Sequence, residues 1–276
     1  MISRRDALLA MAAPAALAPL VLAATTNPAF ADALKDIKSR GVLVVGVKAD
    51  YPPFGYRAPN GDIVGIGPSL AADVARRLGV KIQYVPVVAA NRMQFLQQGK
   101  IDLMIATMND TPEREKVVTI IKPSYYASGY NLLAPKALKL SNWDQIKGKP
   151  VCAIQGAFYN KQVAEKYGAQ VVAFTGVAEA LTALKQGRCI GFVYDDTAIE
   201  GELLKPDWKA AYDMPLKSQD AAPWGVAVRK GEPAFAKFMS ETVVDWHKTG
   251  FILKLETKFG LPHHSEFAEE MHNKYK

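Results

Sequence analysis

Short apolar runs alternate with amphipathic segments along most of this chain. The run Val42–Val47 carries no charged residue and predicts a buried strand. Pro68–Leu78 has apolar residues at helical spacing, begins with proline and is followed by glycine, a pattern that predicts a helix. Lys81–Val88 and Ile101–Ala106 predict two further strands. The first part of the chain therefore predicts strands that are joined by helices.

A second alternation of the same kind begins after Ser128-Gly129. Its strand and helix patterns are, in chain order, Pro150–Ile154, Lys161–Tyr167, Gln170–Phe174, Val177–Lys185, Cys189–Tyr194 and Thr197–Leu204. The element order βαβαβ thus occurs twice, although no residue pattern repeats. This order predicts an α/β protein with two parallel sheets and right-handed crossovers.

The last part of the chain returns to the first set of strands. Trp224–Arg229 has a strand pattern, Pro233–Lys248 predicts an amphipathic helix, and a shorter helix is predicted near Phe251–Lys258. These elements need an apolar partner, and the first set of strands is the expected one. The chain would then cross between two lobes twice, near residues 127–131 and 221–225.

These crossings divide the chain into two lobes. We expect lobe 1 to comprise residues 32–128 and 225–276, and lobe 2 to comprise residues 129–224. Each lobe would hold a parallel-rich sheet that is flanked by helices.

The N-terminal residues have the pattern of an export signal. Arg4 and Arg5 precede the apolar run Ala7–Ala24, and Ala29–Ala31 ends in a small-x-small cleavage pattern. The alternative is a retained membrane anchor, but prolines within the apolar run favour cleavage. We predict that residues 1–31 are a signal peptide and that the mature chain is periplasmic. The paired arginines leave the twin-arginine route open beside the general one.

Charge and composition exclude several functions. The formal net charge is +7, but the basic residues are dispersed and form no patch with aromatic residues, which argues against nucleic-acid binding. The sequence has no GxSxG, no HExxH, no glycine loop for phosphate and no Cys/His cluster with metal-ligand spacing. We therefore expect no cofactor, no metal and no enzyme activity.

The two cysteines, Cys152 and Cys189, begin strands that are expected to be neighbours in one sheet. In an oxidising compartment this placement fits a disulfide, and two buried free thiols fit it equally well. The sequence leaves both alternatives open.

Polar residues follow the predicted strands at their carboxyl ends, where open parallel sheets bind ligands. They are Lys48 and Tyr51 after the first strand, Asn91 and Arg92 after the second, Thr107, Asn109 and Arg114 after the third, and Asp195 and Asp196 in the second half. Arg92 and Arg114 fall in the first turns of predicted helices, where the macrodipole disfavours a cation and favours an anion. Cations on one lobe and carboxylates on the other predict a small zwitterionic ligand with extra negative charge.

Each of these residues also has an ordinary structural interpretation. Lys48 could be a solvated lysine at a strand end, and Tyr51 could pack between the lobes. Arg114 could pair with Asp110 or Glu115 on its own surface. One of the two adjacent aspartates could cap the helix that follows. The convergence of all these side chains at one crevice favours the functional interpretation.

Several segments resemble a known family, the periplasmic solute-binding proteins of amino-acid ABC transporters, family 3. The segments that carry the resemblance are Val42–Phe54, Gly65–Val87, Gln98–Tyr126, Asn142–Gly156, Gly187–Asp196 and Trp224–Lys230. The resemblance implies the type II periplasmic binding-protein fold, in which two α/β lobes close on the ligand about a two-strand hinge. It also implies a monomer that delivers a small molecule to an ABC permease.

The resemblance implies a role for each cleft residue. Arg114 would bind the α-carboxylate of the ligand, and Thr107 and Asn109 would hold its amino or carboxylate group. Asp196 would pair with the ammonium group, with Asp195 as the second choice.

The resemblance also suggests the ligand class. Lys48 and Arg92 occupy positions that are basic in glutamate/aspartate-binding members, which suggests an acidic amino acid or a related dicarboxylate. The chain departs from that pattern at Gly67, where such members often have serine, and at Ala157 and Phe158, where threonines are usual.

Two alternatives remain open from the sequence. One is a binding protein for a neutral polar amino acid or for an organic anion that is not an amino acid. The other is a lyase similar to cyclohexadienyl dehydratase on the same scaffold, with Asp195 or Asp196 as the acid.

Overall fold

The computed structural model describes residues 33–261 and 263–276. Its strands are β1 (Val42–Val47), β2 (Asp50–Tyr51), β3 (Gly55–Arg57), β4 (Ile63–Val64), β5 (Lys81–Pro86), β6 (Leu103–Asn109), β7 (Thr119–Ile120), β8 (Tyr126–Pro135), β9 (Pro150–Ile154), β10 (Gln170–Phe174), β11 (Gly191–Asp195), β12 (Tyr212–Asp213) and β13 (Gln219–Val228). The predicted signal peptide, residues 1–31, lies outside the described residues.

The helices surround these strands. They are α1 (Ala33–Arg40), α2 (Ile66–Leu78), α3 (Arg92–Gln97), α4 (Pro112–Val117), α5 (Asn160–Tyr167), α6 (Val177–Lys185), α7 (Asp196–Leu203), α8 (Pro206–Ala211), α9 (Pro233–Lys248), α10 (Phe251–Lys258) and α11 (Glu266–Tyr275). In the part of the chain that the structure describes, no helix is both long enough and apolar enough to span a bilayer.

One continuous sheet carries both predicted parallel groups. Its strand order is β10-β9-β11-β8-β13-β6-β1-β5. Strand β1 pairs in parallel with β5 and β6, and β9 pairs in parallel with β10 and β11. We call β1, β5 and β6 the first parallel group, and β9, β10 and β11 the second. The α/β class is confirmed, with the two groups joined through the antiparallel strands β8 and β13.

Strand β8 differs from the sequence expectation. The second alternation was expected to begin after Ser128-Gly129, and no strand was predicted there, but both residues lie within a strand of ten residues, Tyr126–Pro135. The reason is pairing on both sides, because β8 bonds to β11 along one edge and to β13 along the other. The chain passes between the parallel groups through β8 and β13. The lobe boundaries at residues 128/129 and 224/225 stay a prediction.

The C-terminal helices α9 and α10 pack on the helices α1 and α2 of the first part of the chain. Helix α9 buries Phe235, Met239, Val243 and Trp246. The indole Nε1 of Trp246 donates to Asp73 Oδ2 of α2 at 2.8 Å. This pair fixes α9 against the helix that covers the sheet.

Helix α11 was not predicted from the sequence. Its N-cap is Ser265, whose hydroxyl accepts from the backbone nitrogen of Ala268 at 3.0 Å. The ring of Tyr275 stacks on the buried imidazole of His247 with centroids 6.0 Å apart. His272 Nδ1 lies 2.7 Å from the carbonyl oxygen of His247. Contacts with a distant helix, more than local pattern, therefore define α11.

A disulfide joins Cys152 of β9 to Cys189, which precedes β11. The two Cα atoms lie 5.5 Å apart, within the usual range for a disulfide. Both residues are buried. Of the two alternatives that the sequence left open, the structure contains the disulfide.

We expect loss of this disulfide to destabilise the second parallel group. The bond closes a loop with a sequence separation of 37. In the Cys152→Ala/Cys189→Ala double variant, the free energy of unfolding should fall by about 2–4 kcal/mol, because the unfolded chain regains the freedom of that loop. Urea unfolding of the ligand-free protein measures this change. Wild-type protein unfolded with a thiol reductant should match the variant, and equal stabilities with and without the disulfide would contradict the expectation.

Candidate functional site

The polar residues singled out from the sequence meet at the carboxyl ends of β1, β5, β6 and β11. Lys48, Arg92, Arg114 and Asp195 are all buried, with 3%, 3%, 8% and 5% of their surface exposed. Arg92 and Lys48 interact electrostatically with each other and with Asp195, and Arg114 interacts with Arg92 and Asp195. We call this region the cleft. It lies between the two parallel groups, since Asp195 ends a strand of the second group.

Arg114 reaches from one parallel group to the other. Its backbone lies in the first turn of α4, whose N-cap Thr111 accepts from Arg114 N at 3.4 Å. Its Nη1 donates to the carbonyl oxygen of Asn109 at 2.8 Å, and its Nη2 donates to that of Gly156 at 3.2 Å. Burial, together with the positive charge of Arg92, lowers the pKa of Arg114 to about 9. A bound anion would relieve both effects.

A surface ion pair does not account for Arg114. The carboxylates that could have held it, Asp110 and Glu115, both contact Lys122 instead. The guanidinium is thus directed into the cleft.

Arg92 is the first residue of α3 and is held by backbone oxygens. Asn91 precedes it, and Asn91 Oδ1 accepts from Val88 N at 3.0 Å, which fixes the turn after β5. Arg92 Nη1 donates to the carbonyl oxygens of Ala106 and Thr107, the latter at 3.0 Å. Burial lowers the pKa of Arg92, and the charge of Asp195 opposes this. Its hydrogen bonds fix the guanidinium without neutralising it.

The backbone of Thr107 has an unusual conformation. Its φ is +49°, in the left-handed region that a β-branched residue rarely adopts. Thr107 N donates to the hydroxyl oxygen of Tyr125 at 3.1 Å, and Thr107 O accepts from Arg92. This strained residue of β6 therefore supplies a carbonyl oxygen that orients the buried arginine.

Lys48 pairs with an acidic residue that the sequence reasoning missed. Its Nζ lies 2.7 Å from Asp50 Oδ1. Burial lowers the pKa of Lys48, and the charge of Asp50 opposes this. The ordinary interpretation of a solvated lysine does not fit a side chain that is 3% exposed.

The two adjacent aspartates have different surroundings. Asp195 ends β11, is buried, and its Oδ1 has no hydrogen-bond partner. Burial, together with the charge of Asp196, raises the pKa of Asp195 to about 7, although nearby groups that include Arg92 and Lys48 oppose the rise. Asp196 Oδ1 instead accepts from Ser128 Oγ at 2.6 Å and from Thr197 N at 2.8 Å. The carboxylate of Asp196, the first residue of α7, is thus already bonded, and the geometry favours Asp195, the second choice from the sequence, as the carboxylate with an oxygen left for a ligand.

Tyr51 both packs and bonds across the cleft. Its hydroxyl lies 2.8 Å from Thr197 Oγ1 of α7. Its ring lies 5.3 Å from the ring of Tyr194 and 5.9 Å from that of Trp224. The expected packing role is present, and the hydroxyl adds a bond to the second half.

Gly67 has a steric reason for lacking a side chain. A Cβ atom there would lie 3.1 Å from the carbonyl oxygen of Phe54 and 3.2 Å from that of Ile105. The serine that was expected at this position in acidic-ligand members would therefore require backbone movement. Gly67 N donates to Phe54 O at 2.8 Å, so it serves packing of α2.

The segment after β9 contributes an aromatic residue that was missed. Ala157 and Phe158 are half-buried, and the ring of Phe158 packs on Tyr159 and Tyr130. Tyr159 is 1% exposed, its hydroxyl has no partner, and it interacts electrostatically with Asp195. The sequence signal was present, since Ala157-Phe158 were singled out, but the next residue carries the polar group into the site.

The cleft therefore combines buried charges with buried polar atoms that lack partners. Asp195 Oδ1, Asn109 Nδ2 and the Tyr159 hydroxyl have no hydrogen-bond partner, and Asp50 Oδ1 has only its charge contact with Lys48. Leaving such an atom unpaired costs about 1–3 kcal/mol. This set can bind a small molecule that has both a donor and an acceptor group. Among residues 33–261 and 263–276, no group of three His, Cys, Asp or Glu side chains could hold a metal ion. The fold and the cleft define a protein of the solute-binding class.

The model of the bacterial extracellular solute-binding proteins, family 3, matches residues 43–262. The chain belongs to this family, which confirms the resemblance noted in the sequence.

Individual relatives agree with this assignment. The chain is 34% identical to an ABC transporter glutamine-binding protein of Bacillus subtilis, over 75% of this chain and 76% of the relative. It is 25% identical to an L-glutamate/L-aspartate-binding protein of Pseudomonas aeruginosa, over 90% of this chain and 87% of the relative. Its fold matches a mutant of the arginine-binding protein of T. maritima with a TM-score of 0.77 and 30% identity, covering 82% and 98% of the two chains.

We expect Asp195 to make the ligand-free protein less stable as the pH rises. Burial raises the pKa of Asp195 from 3.8 to about 7, so the folded state holds this proton more tightly than the unfolded state. The protein therefore loses stability between about pH 4 and pH 7 through this group. The Asp195→Asn variant cannot lose stability in this way. The difference in free energy of unfolding between the variant and wild type should therefore increase, in favour of the variant, by on the order of 3 kcal/mol as the pH rises over that range.

Urea unfolding at about pH 4.5 and pH 8, on protein freed of ligand by unfolding and refolding, measures this difference. Asp144→Asn, at an exposed aspartate, is the matched control. The same pH dependence in both variants would refute the role of Asp195.

Proposed function

We propose that this chain is the extracytoplasmic binding component of an ABC transporter, and that it captures an acidic amino acid in the cleft. The observation that carries the proposal is the buried charge of the site. Lys48, Arg92 and Arg114 face two carboxylates, Asp50 and Asp195. The Oδ1 of Asp50 lies close to the ammonium group of Lys48, whereas the Oδ1 of Asp195 has no hydrogen-bond partner. A ligand with one ammonium group and two carboxylates supplies what this set lacks.

The common part of an amino acid fits one side of the cleft. Arg114 would bind the α-carboxylate, and the unpartnered amide nitrogen of Asn109 would donate to it. Thr107 would help to position the same group. The free oxygen of Asp195 would accept from the ammonium group. This assignment exchanges the roles first expected for Asp195 and Asp196, because Asp196 is already bonded to Ser128.

The second acidic group would lie near Arg92. This guanidinium is buried, and its hydrogen-bond acceptors among the described residues are two backbone carbonyl oxygens. A carboxylate beside it would gain a charge-assisted hydrogen bond, and Lys48 would add to the attraction. A ligand with a cationic side chain would be repelled at the same place.

The relatives support this proposal in part. Their names include glutamine, glutamate/aspartate and arginine as ligands. These molecules share the α-amino and α-carboxylate groups, which fits a conserved role for that half of the cleft. The side chains of those ligands differ in charge, so the ligand class of this chain rests on Arg92 and Lys48.

Closure of two lobes would deliver the ligand. We propose the boundaries expected from the sequence, with residues 32–128 and 225–276 in one lobe and 129–224 in the other. The bonds from Arg114 to Gly156 and from Tyr51 to Thr197 join the proposed lobes across the cleft. A monomer of this kind, exported by its signal peptide, would present the closed form to a permease.

Native mass spectrometry of freshly purified protein tests the ligand class directly. It should detect a copurified molecule of the mass of glutamate or aspartate. After removal of that ligand by refolding, these two should raise the melting temperature more than glutamine, arginine, cystine or succinate. A larger shift with glutamine or arginine would refute the acidic ligand. Conversion of prephenate or arogenate by the protein would favour the lyase instead.

Arg114 should be required for every amino-acid ligand. Arg114→Ala removes the bidentate partner of the α-carboxylate, and we expect binding to fall by at least about 100-fold. Isothermal titration calorimetry on refolded protein measures the loss. Circular dichroism provides the check that the variant is folded, and an unchanged affinity would rule out the carboxylate assignment.

Arg92 should distinguish acidic ligands from their amides. Arg92→Gln removes the buried cation, so we expect affinity for glutamate to fall about 10–100-fold. The affinity for glutamine should change much less, because an amide carries no charge. Arg76→Gln, at an arginine whose side chain is 71% exposed, is the control. Equal losses for glutamate and glutamine would place Arg92 outside side-chain recognition.

A further inference from the structure

Asp50 lies between Lys48 of the cleft and helix α6, which belongs to the second part of the chain. It lies in β2, two residues after Lys48, and its side chain is 28% exposed. Its Oδ1 lies 2.7 Å from Lys48 Nζ as a close charge pair without the alignment of a hydrogen bond. Its Oδ2 accepts from the backbone nitrogen of Val177, the first residue of α6, at 3.4 Å. Gly176, the N-cap of α6, has no side chain that could take this role.

These two contacts hold the carboxylate of Asp50 beside the ammonium group of Lys48. The N-terminus of α6 favours a negative group, and Asp50 supplies it from across the cleft. Because each oxygen of the Asp50 carboxylate has its own contact, the carboxylate remains beside Lys48 whenever Asp50 is in contact with α6. Lys48 is then a paired cation before any ligand binds.

The charge count of the cleft follows from this pairing. Lys48, Arg92 and Arg114 contribute three positive charges, and Asp50 and Asp195 contribute two negative ones. The carboxylate of Asp196 is left out of this count because it is already engaged by hydrogen bonds at the start of α7. One positive charge is left over. An acidic amino acid carries one net negative charge and balances it. A dicarboxylate without an amino group carries two, and it would also leave the free oxygen of Asp195 facing a carboxylate.

We propose that Asp50 is a specificity-determining residue, a fixed counter-ion of Lys48 that makes the cleft select acidic amino acids over dicarboxylates that lack an ammonium group. This inference rests on the proposed function, since it refines the ligand class of the same site. It distinguishes acidic amino acids from related dicarboxylates, two ligand classes between which the sequence alone did not decide.

Calorimetry of wild type and Asp50→Asn tests the inference. The ligands are L-glutamate, L-aspartate, glutarate and succinate, on protein freed of ligand by refolding. In wild type the amino acids should bind more tightly. In Asp50→Asn, Lys48 becomes available to a second carboxylate, so the ratio of amino-acid to dicarboxylate affinity should fall at least about 10-fold. Asp207→Asn, at an exposed aspartate of α8, should keep the wild-type ratio.

Two further variants extend the test. Lys48→Met/Asp50→Asn removes both members of the pair and should return the ratio towards that of wild type. Lys48→Gln leaves Asp50 without its partner, so affinity for glutamate relative to glutamine should fall about 10-fold. Lys48→Gln keeps the inference testable if Asp50→Asn does not fold.

The outcomes separate this inference from the proposed function. If wild type binds no acidic amino acid, the proposed function fails. If wild type binds glutamate or aspartate but Asp50→Asn keeps the wild-type ratio, the role of Asp50 fails. If Lys48→Gln leaves the preference for glutamate over glutamine unchanged, the role of Asp50 fails as well.

Discussion

Burial of three cations in one cleft is the constraint that organises this molecule. Removing a charged group from water costs several kcal/mol unless other groups compensate. Arg92 and Arg114 are compensated in part by backbone carbonyl oxygens, and Lys48 by Asp50. These carbonyl oxygens all belong to the carboxyl end of β6, so the two guanidinium groups lie beside the end of that strand. The strained backbone of Thr107, within β6, presents one of these oxygens to Arg92.

The long strands β8 and β13 place the two halves of the cleft in one structure. They pair with each other and extend the sheet on both sides, so the first and second parallel groups share a single hydrogen-bonded path. Trp224 in β13 lies at the centre of this region and contacts the rings of Tyr51, Phe54 and Tyr126. These large apolar side chains support the loop that carries Tyr51 and, beside it, Asp50. Packing at the middle of the sheet thus fixes groups at the edge of the cleft.

Local pattern carried much of the prediction, and tertiary contacts explain what it missed. Strand β1 and helix α2 followed from apolar spacing and from glycine at the helix end, because both depend on nearby residues. The contact from Asp50 to α6 joins residues 127 positions apart, which no local pattern encodes. The choice between Asp195 and Asp196 depended on where the strand ends and the helix begins. Successive residues at such a boundary point in different directions, so a shift of one position exchanges their roles.

The end of the chain is attached to the middle of the sheet. Glu256 is fully buried and accepts from the hydroxyl of Tyr126, the first residue of β8, at 2.7 Å. It also accepts from Ser265 N at 3.1 Å and contacts His264, beyond the family match that ends at residue 262. A chain shortened before His264 would leave this carboxylate buried with fewer partners. The segment that begins at His264 therefore helps to anchor strand β8, which runs between the two parallel groups.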